Sequence, residues 1–305
     1  MKAVQKKKGR DFGVDNVSGY LLIGPWLIGF FVFTLYPLLS SSYYSFTSFD
    51  LLTPPTWNGI QNYVDVFADP RFYQSMKVTF IYALVHVPLK LLFALGIALL
   101  FNMKHRGVGL YRTLYYVPSI VGGSIAVSVM WVQLFASNGP FNNLLSVFGI
   151  DVTRNWIGDP NTALMMIIIL AIWQFGSPML IFLAGLKQIP ISYYEAAEID
   201  GANVFQRFYK ITIPSLSPVI FFNLLMQIIG AFMAFTQCYI VSNGTGGPSD
   251  RTLFYALYIY LQGLKYHKMG YGCALAWIMV VIIAIITWII FKTSDTWVFY
   301  EADDT

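Results

Sequence analysis

The sequence is poor in charge. Asp, Glu, Lys and Arg make up 11% of its 305 residues, against roughly a quarter in a soluble domain. That excludes a water-soluble globule, which would have too little polar side chain to cover its surface. Cysteine is scarce as well. Cys238 and Cys273 cannot build a disulfide framework, and with only three histidines the chain offers no metal-ligand set. Both cysteines fall in apolar runs and read as small packing residues. No Gly-x-x-x-x-Gly-Lys-Ser/Thr pattern occurs, so the loop that cradles nucleotide phosphates in P-loop proteins is missing. There is no low-complexity segment. Nor does a basic stripe or recognition motif mark a nucleic-acid surface.

What abounds is hydrocarbon. The chain is 57% hydrophobic, with a mean hydropathy of +0.60. Runs long enough to cross a bilayer as helices, about 20 residues each, lie at 19–46, 78–102, 113–136, 161–186, 218–242 and 270–292. The expected fold is all-α and polytopic, with six transmembrane helices. The first run contains Gly24, Pro25 and Pro37, breaks that a membrane helix tolerates when neighbours satisfy the freed backbone. Orientation follows from the basic residues. With the N-terminus inside, twelve of the 19 Lys and Arg are cytoplasmic, including Lys2, Lys6, Lys7, Lys8, Arg10, Lys104, Arg106 and Lys292. Arg71, Lys77, Arg154, Arg251, Lys265 and Lys268 lie outside, and Lys90 lies within the membrane. Both termini are then cytoplasmic, and the net charge of +4 reads as topology. The first run is too long for the core of a cleavable signal peptide, and no small-x-small cleavage site follows it.

The expected organisation is a basic tail at 1–18, one six-helix unit at 19–292 and a C-terminal tail at 293–305. Residues 59–67 suggest a short interfacial helix in the outer segment 47–77, and 242–248 is a turn-rich stop after the fifth span. Between spans four and five lies a polar island, 187–217, far longer than a connector requires. Ser192-Tyr-Tyr-Glu195 reads as a capping box opening a short helix. Gly201 suits the left-handed position that ends it. Asn203-Val-Phe-Gln206 repeats the capping signature, and Pro214 is expected to stop the second helix. Ala196, Ala197 and Ala202 keep the bend slim. Such a hairpin can enter a cleft in a partner or lie flat on lipid headgroups.

Two groups of polar residues fall inside the spans. In span five, Asn223, Gln227, Gly230, Ala234 and Gln237 share one helical face. In span four, Trp173, Gln174 and Ser177 sit near the middle, before Pro178. Amides in membrane helices face the bundle interior or a water-filled path, and an aromatic ring beside amides suits a sugar. The competing reading is helix packing, with Gly230 and Ala234 as a small-xxx-small pair. His86 and Lys90, one turn apart on span two, have no acidic partner in any span. A structural role against a second subunit is the expectation for them.

The island resembles the EAA loop of binding-protein-dependent ABC importers. Glu195, Ala196, Ala197, Gly201, Ile211 and Pro214 stand at the motif's spacing, with Ile213 where the motif has Leu. Gly59–Phe67 with Asp69-Pro70, Tyr116-Val-Pro118, Ile189-Pro190, Gly246-Gly-Pro248 and Trp297–Glu301 are similar to the sugar-permease branch, carbohydrate uptake transporter family 1, of which maltose permeases are members. The resemblance implies a type I importer permease in a bacterial or archaeal cell membrane, carrying a sugar or oligosaccharide. It implies a second homologous permease, an extracellular solute-binding protein and a dimeric ATPase gripping the EAA loop, with Glu195 as a charged anchor. The chain itself would be no enzyme and hold no cofactor, since ATP and Mg²⁺ would be bound by the ATPase. The alternatives are a permease for a non-sugar solute, an ion-coupled secondary transporter, or a membrane enzyme. The spans lack the paired acids that the last two use.

Overall fold

The computed structural model describes residues 12–103, 107–150 and 153–299. The basic residues Lys2 to Arg10, Lys104 and Arg106, and the chain from Tyr300 onward, lie outside the described residues. Helix α1 (Phe12–Phe30) passes through a π-helical turn, Phe31–Leu35, into α2 (Tyr36–Ser45). The Tyr36 amide donates to the Phe31 carbonyl, and Pro37 follows at once. A proline removes one backbone donor, and the wider turn lets the hydrogen-bond ladder step past it.

After α2, β1 (Thr47–Ser48) pairs antiparallel with β2 (Thr56–Trp57), Thr47 opposite Trp57. The short helix expected at 59–67 exists as α3 (Gln61–Ala68). Its buried Asn62 donates to the Ser45 and Thr47 carbonyls at 2.8 and 2.9 Å, pinning the hairpin to α2. Val64 and Phe67 stay exposed. Helix α4 (Pro70–Asn102) begins eight residues before its apolar run. Asp69 caps it by accepting from the Arg71 amide at 2.8 Å, and Pro70 is preset for a first helical position.

The third run is not one helix. It divides into α5 (Val108–Val121) and α6 (Ile125–Leu134), bent by 96° at Gly122-Gly123-Ser124. After α7 (Pro140–Val147), the fourth run divides by 40° into α8 (Ala163–Trp173) and α9 (Gly176–Gln188). Pro178 explains that second break, because it cannot donate to the Gln174 carbonyl. The polar island forms α10 (Ile191–Ile199) and α11 (Val204–Arg207). A π-helical turn, Phe208–Thr212, then leads into α12 (Ile213–Phe232) and α13 (Thr236–Val241).

Pro214 therefore does not stop a helix. The Ile213 amide reaches back to Phe208 as Tyr36 does to Phe31, and the chain stays helical past the proline. The segment after α13 holds an element not expected from sequence, α14 (Tyr255–Tyr260), continued by a π-helical turn at Leu261–Lys265. Leu253, Phe254, Tyr255, Leu257 and Tyr258 are fully buried. The Tyr255 amide donates to the Thr79 hydroxyl at 2.9 Å, and its own hydroxyl donates to the Leu275 carbonyl. Helix α15 (Met269–Ser294) is the last span.

Four helical stretches among the described residues are long and apolar enough to cross a membrane, and six spans result when each bent pair counts as one. Helix α4 is the centre, packing against α8, α9, α12 and α14. The first span touches the rest through α2, which lies on α15. Helices α9 and α12 approach closely at Gly185, where a Cβ would come within 2.8 Å of Val219 and 2.9 Å of Leu216. Cys238 and Cys273 are free and buried, as packing residues should be.

Candidate functional site

The polar island builds a compact hairpin. Helix α10 starts at Ile191 after Pro190, without a side-chain cap. The capping box expected at Ser192 does not form, because the chain is already helical one residue earlier; Pro190, with ψ at 133°, occupies the extended capping position itself. The bend is as expected. Gly201 sits at φ +76°. Its amide donates to the Glu198 carbonyl, and the Ala202 amide donates to the Ala197 carbonyl at 2.8 Å. This is the paired closure that ends a helix in a Schellman motif. The second capping box is complete: the Gln206 amide donates to the Asn203 side chain at 2.9 Å, and the Asn203 amide to the Gln206 side chain at 2.8 Å. Arg207 bridges back to Glu198 at 3.0 Å, and Tyr194 meets the Thr212 hydroxyl at 2.9 Å.

Glu195 and Ala196 are exposed, Ala197, Ile211 and Pro214 half-buried, and none of the three ion pairs among the described residues involves Glu195. Around the bend, Ile199 is 86% exposed and Phe205 76%, with Val204 and Tyr209 also in the open. A cleft of about 550 Å³ separates the hairpin from the end of α4, lined in part by Leu99, Met103, Tyr194 and Phe205. A stiff hairpin with an uncovered apolar tip and a free carboxylate is suited to insertion into a second protein.

The middle of the bundle holds a second cluster, centred on a residue that sequence reasoning missed. The Ser119 hydroxyl donates to the Gln174 carbonyl at 3.0 Å and accepts from the Ser177 amide at 3.0 Å. It closes the gap in the backbone ladder that the α8–α9 break opens. The Gln174 side chain lies against Gly122, and the Gln237 amide donates to the Gly122 carbonyl at 3.2 Å. The Trp131 and Trp173 rings are 6.2 Å apart; Trp173 is partly exposed, and so is Ser177. Trp173, Gln174, Ser177 and Gln237 are thus brought together where two spans are broken. The signal available in sequence was Gly122-Gly123, a poor pair for an uninterrupted helix.

The straight stripe expected on span five is not there. Ala234 lies in the break between α12 and α13, so Gln237 belongs to a different helix from Asn223. Asn223 is 1% exposed, and its amide nitrogen has no partner among the described residues, so it lines no open path within this chain. Gln227 is half-buried and Gly230 exposed. His86 is buried within the chain and stacks on Tyr82 with ring centroids 4.7 Å apart. It cannot face a second subunit as expected, whereas Lys90, half-buried, can.

At the end of the molecule where α4 begins, Arg71 forms two hydrogen bonds to Asp250, at 3.0 and 2.8 Å. Asp69 accepts from Tyr258 and, at 3.0 Å, from Tyr271. Burial opposes the charge of Asp69, but the hydrogen bonds from Tyr258, the Arg71 amide and Tyr271 outweigh it and hold the carboxyl below its ordinary range. A cleft of about 680 Å³ borders this cluster.

The family comparison agrees with this geometry. Residues 79–298 match the family described as binding-protein-dependent transport system inner membrane component. The chain belongs to that family, and it is a multi-pass membrane permease of the ABC class. It is 53% identical over 299 residues to the probable ABC transporter permease protein YesP of Bacillus subtilis, covering 98% of this chain and 97% of that one. It is 35% identical to the lactose transport system permease protein LacF of Rhizobium radiobacter, covering 92% and 94%. It is 31% identical to the arabinooligosaccharides transport system permease protein AraP of Bacillus subtilis, covering 96% and 94%. Among solved structures, a chain of a bacterial alginate ABC transporter in complex with a pentasaccharide-bound periplasmic protein superposes with a TM-score of 0.78 at 22% identity, covering 92% and 94%. At that identity the likeness concerns the fold.

Proposed function

We propose that this chain is one of two related permeases in an ATP-driven importer of a sugar or oligosaccharide, and that the hairpin at 191–207 is where an ATPase subunit docks. The observation that carries the docking is the bend at Gly201. Two capped helices meet there around slim residues and present Glu195 unpaired beside an uncovered apolar tip. ATP and Mg²⁺ belong to the ATPase, since this sequence has no phosphate-cradling loop. The termini and the hairpin face the cytoplasm of a bacterial or archaeal cell, and the cleft beside Asp69 faces the solute-binding protein.

The sugar class is supported by relatives named for lactose and for arabinooligosaccharides. It is also supported by the chemistry of the mid-membrane cluster, where Trp173 offers an apolar face beside Gln174, Ser177 and Gln237. Closure of the ATPases would move the hairpin as a rigid body. Because α12 is continuous with α11 through the π-helical turn, that movement travels along one helical rod to Phe232, one short break before Gln237 on α13. The test is a crosslinking experiment in the assembled complex. A cysteine at Ala196 should crosslink to the ATPase subunit, and failure to reach any ATPase would defeat the docking. Lactose and arabinooligosaccharide uptake, measured in a strain lacking the chain and in the same strain complemented, tests the substrate class.

A further inference from the structure

After α15 ends at Ser294, the chain turns back. The Trp297 and Val298 amides both donate to the Ser294 carbonyl, at 3.1 and 2.8 Å. The Phe299 amide then donates to the Ser217 hydroxyl at 2.7 Å, and that hydroxyl donates on to the Pro214 carbonyl at 2.6 Å. Val298 is buried. The Trp297 ring lies 6.0 Å from Phe221 on α12, and Phe221 in turn meets Phe291 on α15 at 5.0 Å. Phe299 closes a cleft of about 220 Å³ at the foot of the coupling hairpin, together with Ile189, Pro190 and Tyr193. Three consecutive residues thus join the end of the last span to the first turns of α12 and the base of α10. They use one backbone hydrogen bond, one buried aliphatic side chain and one aromatic contact. A tail with no mechanical role has no need to bury Val298 or to be registered on a single hydroxyl.

We propose that residues 297–299 are a strap that makes the last span move with the coupling hairpin. The ATPase stroke is then delivered to α12 and α15 together and not to α12 alone. This rests on the reading of the hairpin as the ATPase dock. Without the strap, the contact between α12 and α15 would be side-chain packing, which can slide. With it, Ser217 and Pro214, next to the π-helical turn, are tied to the backbone of the segment that continues α15. Ser217 and Trp297 are positioning residues on this view, acting through the helices they join.

The test uses the complex of both permeases with the ATPase in lipid, with Cys238 and Cys273 replaced by alanine. Spin labels at Phe222 on α12 and Val280 on α15, both exposed, report the separation of the two spans before and after trapping with ATP and vanadate. With the strap intact the separation should not change on trapping. In Ser217→Ala/Trp297→Ala it should shift by at least about 2 Å, the scale of helix displacements in switching proteins. ATP hydrolysis should persist while transport falls. Ser217→Thr, which keeps the hydroxyl, should behave as the parent protein. Co-purification of the ATPase at the parent level shows that each variant is assembled. A separation that changes in the intact protein, or that stays constant in the double variant, overturns the strap alone. A cysteine at Ala196 that reaches no ATPase overturns the docking reading, and the strap's role with it.

Discussion

Gly201 is the residue on which the hairpin turns. Its φ of +76° is open to glycine and costly for a β-branched side chain, even though no atom lies within 4 Å of where a Cβ would stand. Gly201→Val should therefore strain the backbone by about 1–2 kcal/mol or more without any clash. Its expected effect is a loss of substrate-stimulated ATP hydrolysis in a permease that still inserts and assembles. Unchanged stimulation would show that the bend does not bear on coupling. Glu195→Lys acts differently, since Glu195 has no internal partner among the described residues to lose. It should abolish transport and weaken ATPase co-purification with no change in thermal stability. Asn203→Ala removes a complete capping box and should cost about 1 kcal/mol. Arg207→Ala breaks a pair whose Glu198 side chain is 71% exposed, and water screens it enough that stability should barely change.

At the scale of elements, the broken spans are where polar groups of the bundle meet. Ser119 satisfies a carbonyl and an amide exposed by the α8–α9 break. Ser119→Ala leaves both without that partner, and because the Gln174 carbonyl is part-buried and the Ser177 amide exposed, the cost should be about 0.5–1.5 kcal/mol for each bond lost. The expected result is a lower melting temperature and a drop in transport larger than Ser177→Ala produces, because Ser177 contributes its backbone to this contact and not its hydroxyl. Cysteines at Ser177 and Gln237 should react with water-soluble thiol reagents, and their reactivity should change when ATP is trapped. A cysteine at Phe232, buried against Phe80, should stay inert. Equal inertness at all three positions would make the cluster a packing core.

For the whole molecule, the end where α4 begins is fastened by charge. Asp69 has a depressed folded-state pKa. Its stabilising hydrogen bonds are therefore fully present above the ordinary 3.8 and are lost as pH falls below that value through the folded one. Thermal stability should be flat across the physiological range and fall in strong acid. Asp69→Asn should be less stable at neutral pH and show a smaller acid-induced fall. Equal acid sensitivity in both proteins would place the responsible carboxylates elsewhere.

The six apolar runs, the capping box at Asn203 and the turn at Gly201 were legible in the sequence because each is a local matter, whereas the box expected at Ser192 was displaced by Pro190, which starts the helix one residue earlier. Span length follows from bilayer thickness, a cap from one side chain and its neighbouring amides, and a left-handed turn from the absence of a Cβ. The π-helical turns were not legible. A proline announces a missing donor but does not say whether the helix ends or widens around it, and at Pro37 and Pro214 it widened. The buried α14 and the Ser119 bridge were hidden for a different reason. Residues 55, 115 and 176 positions apart in sequence meet in them, and no periodicity in one segment records what another segment will satisfy. The sequence by itself determined the class of solvent, the number of apolar runs and the shape of the hairpin. Only the tertiary structure decided which polar groups in the spans would meet, because that depends on which broken helix supplies the partner for another's freed backbone.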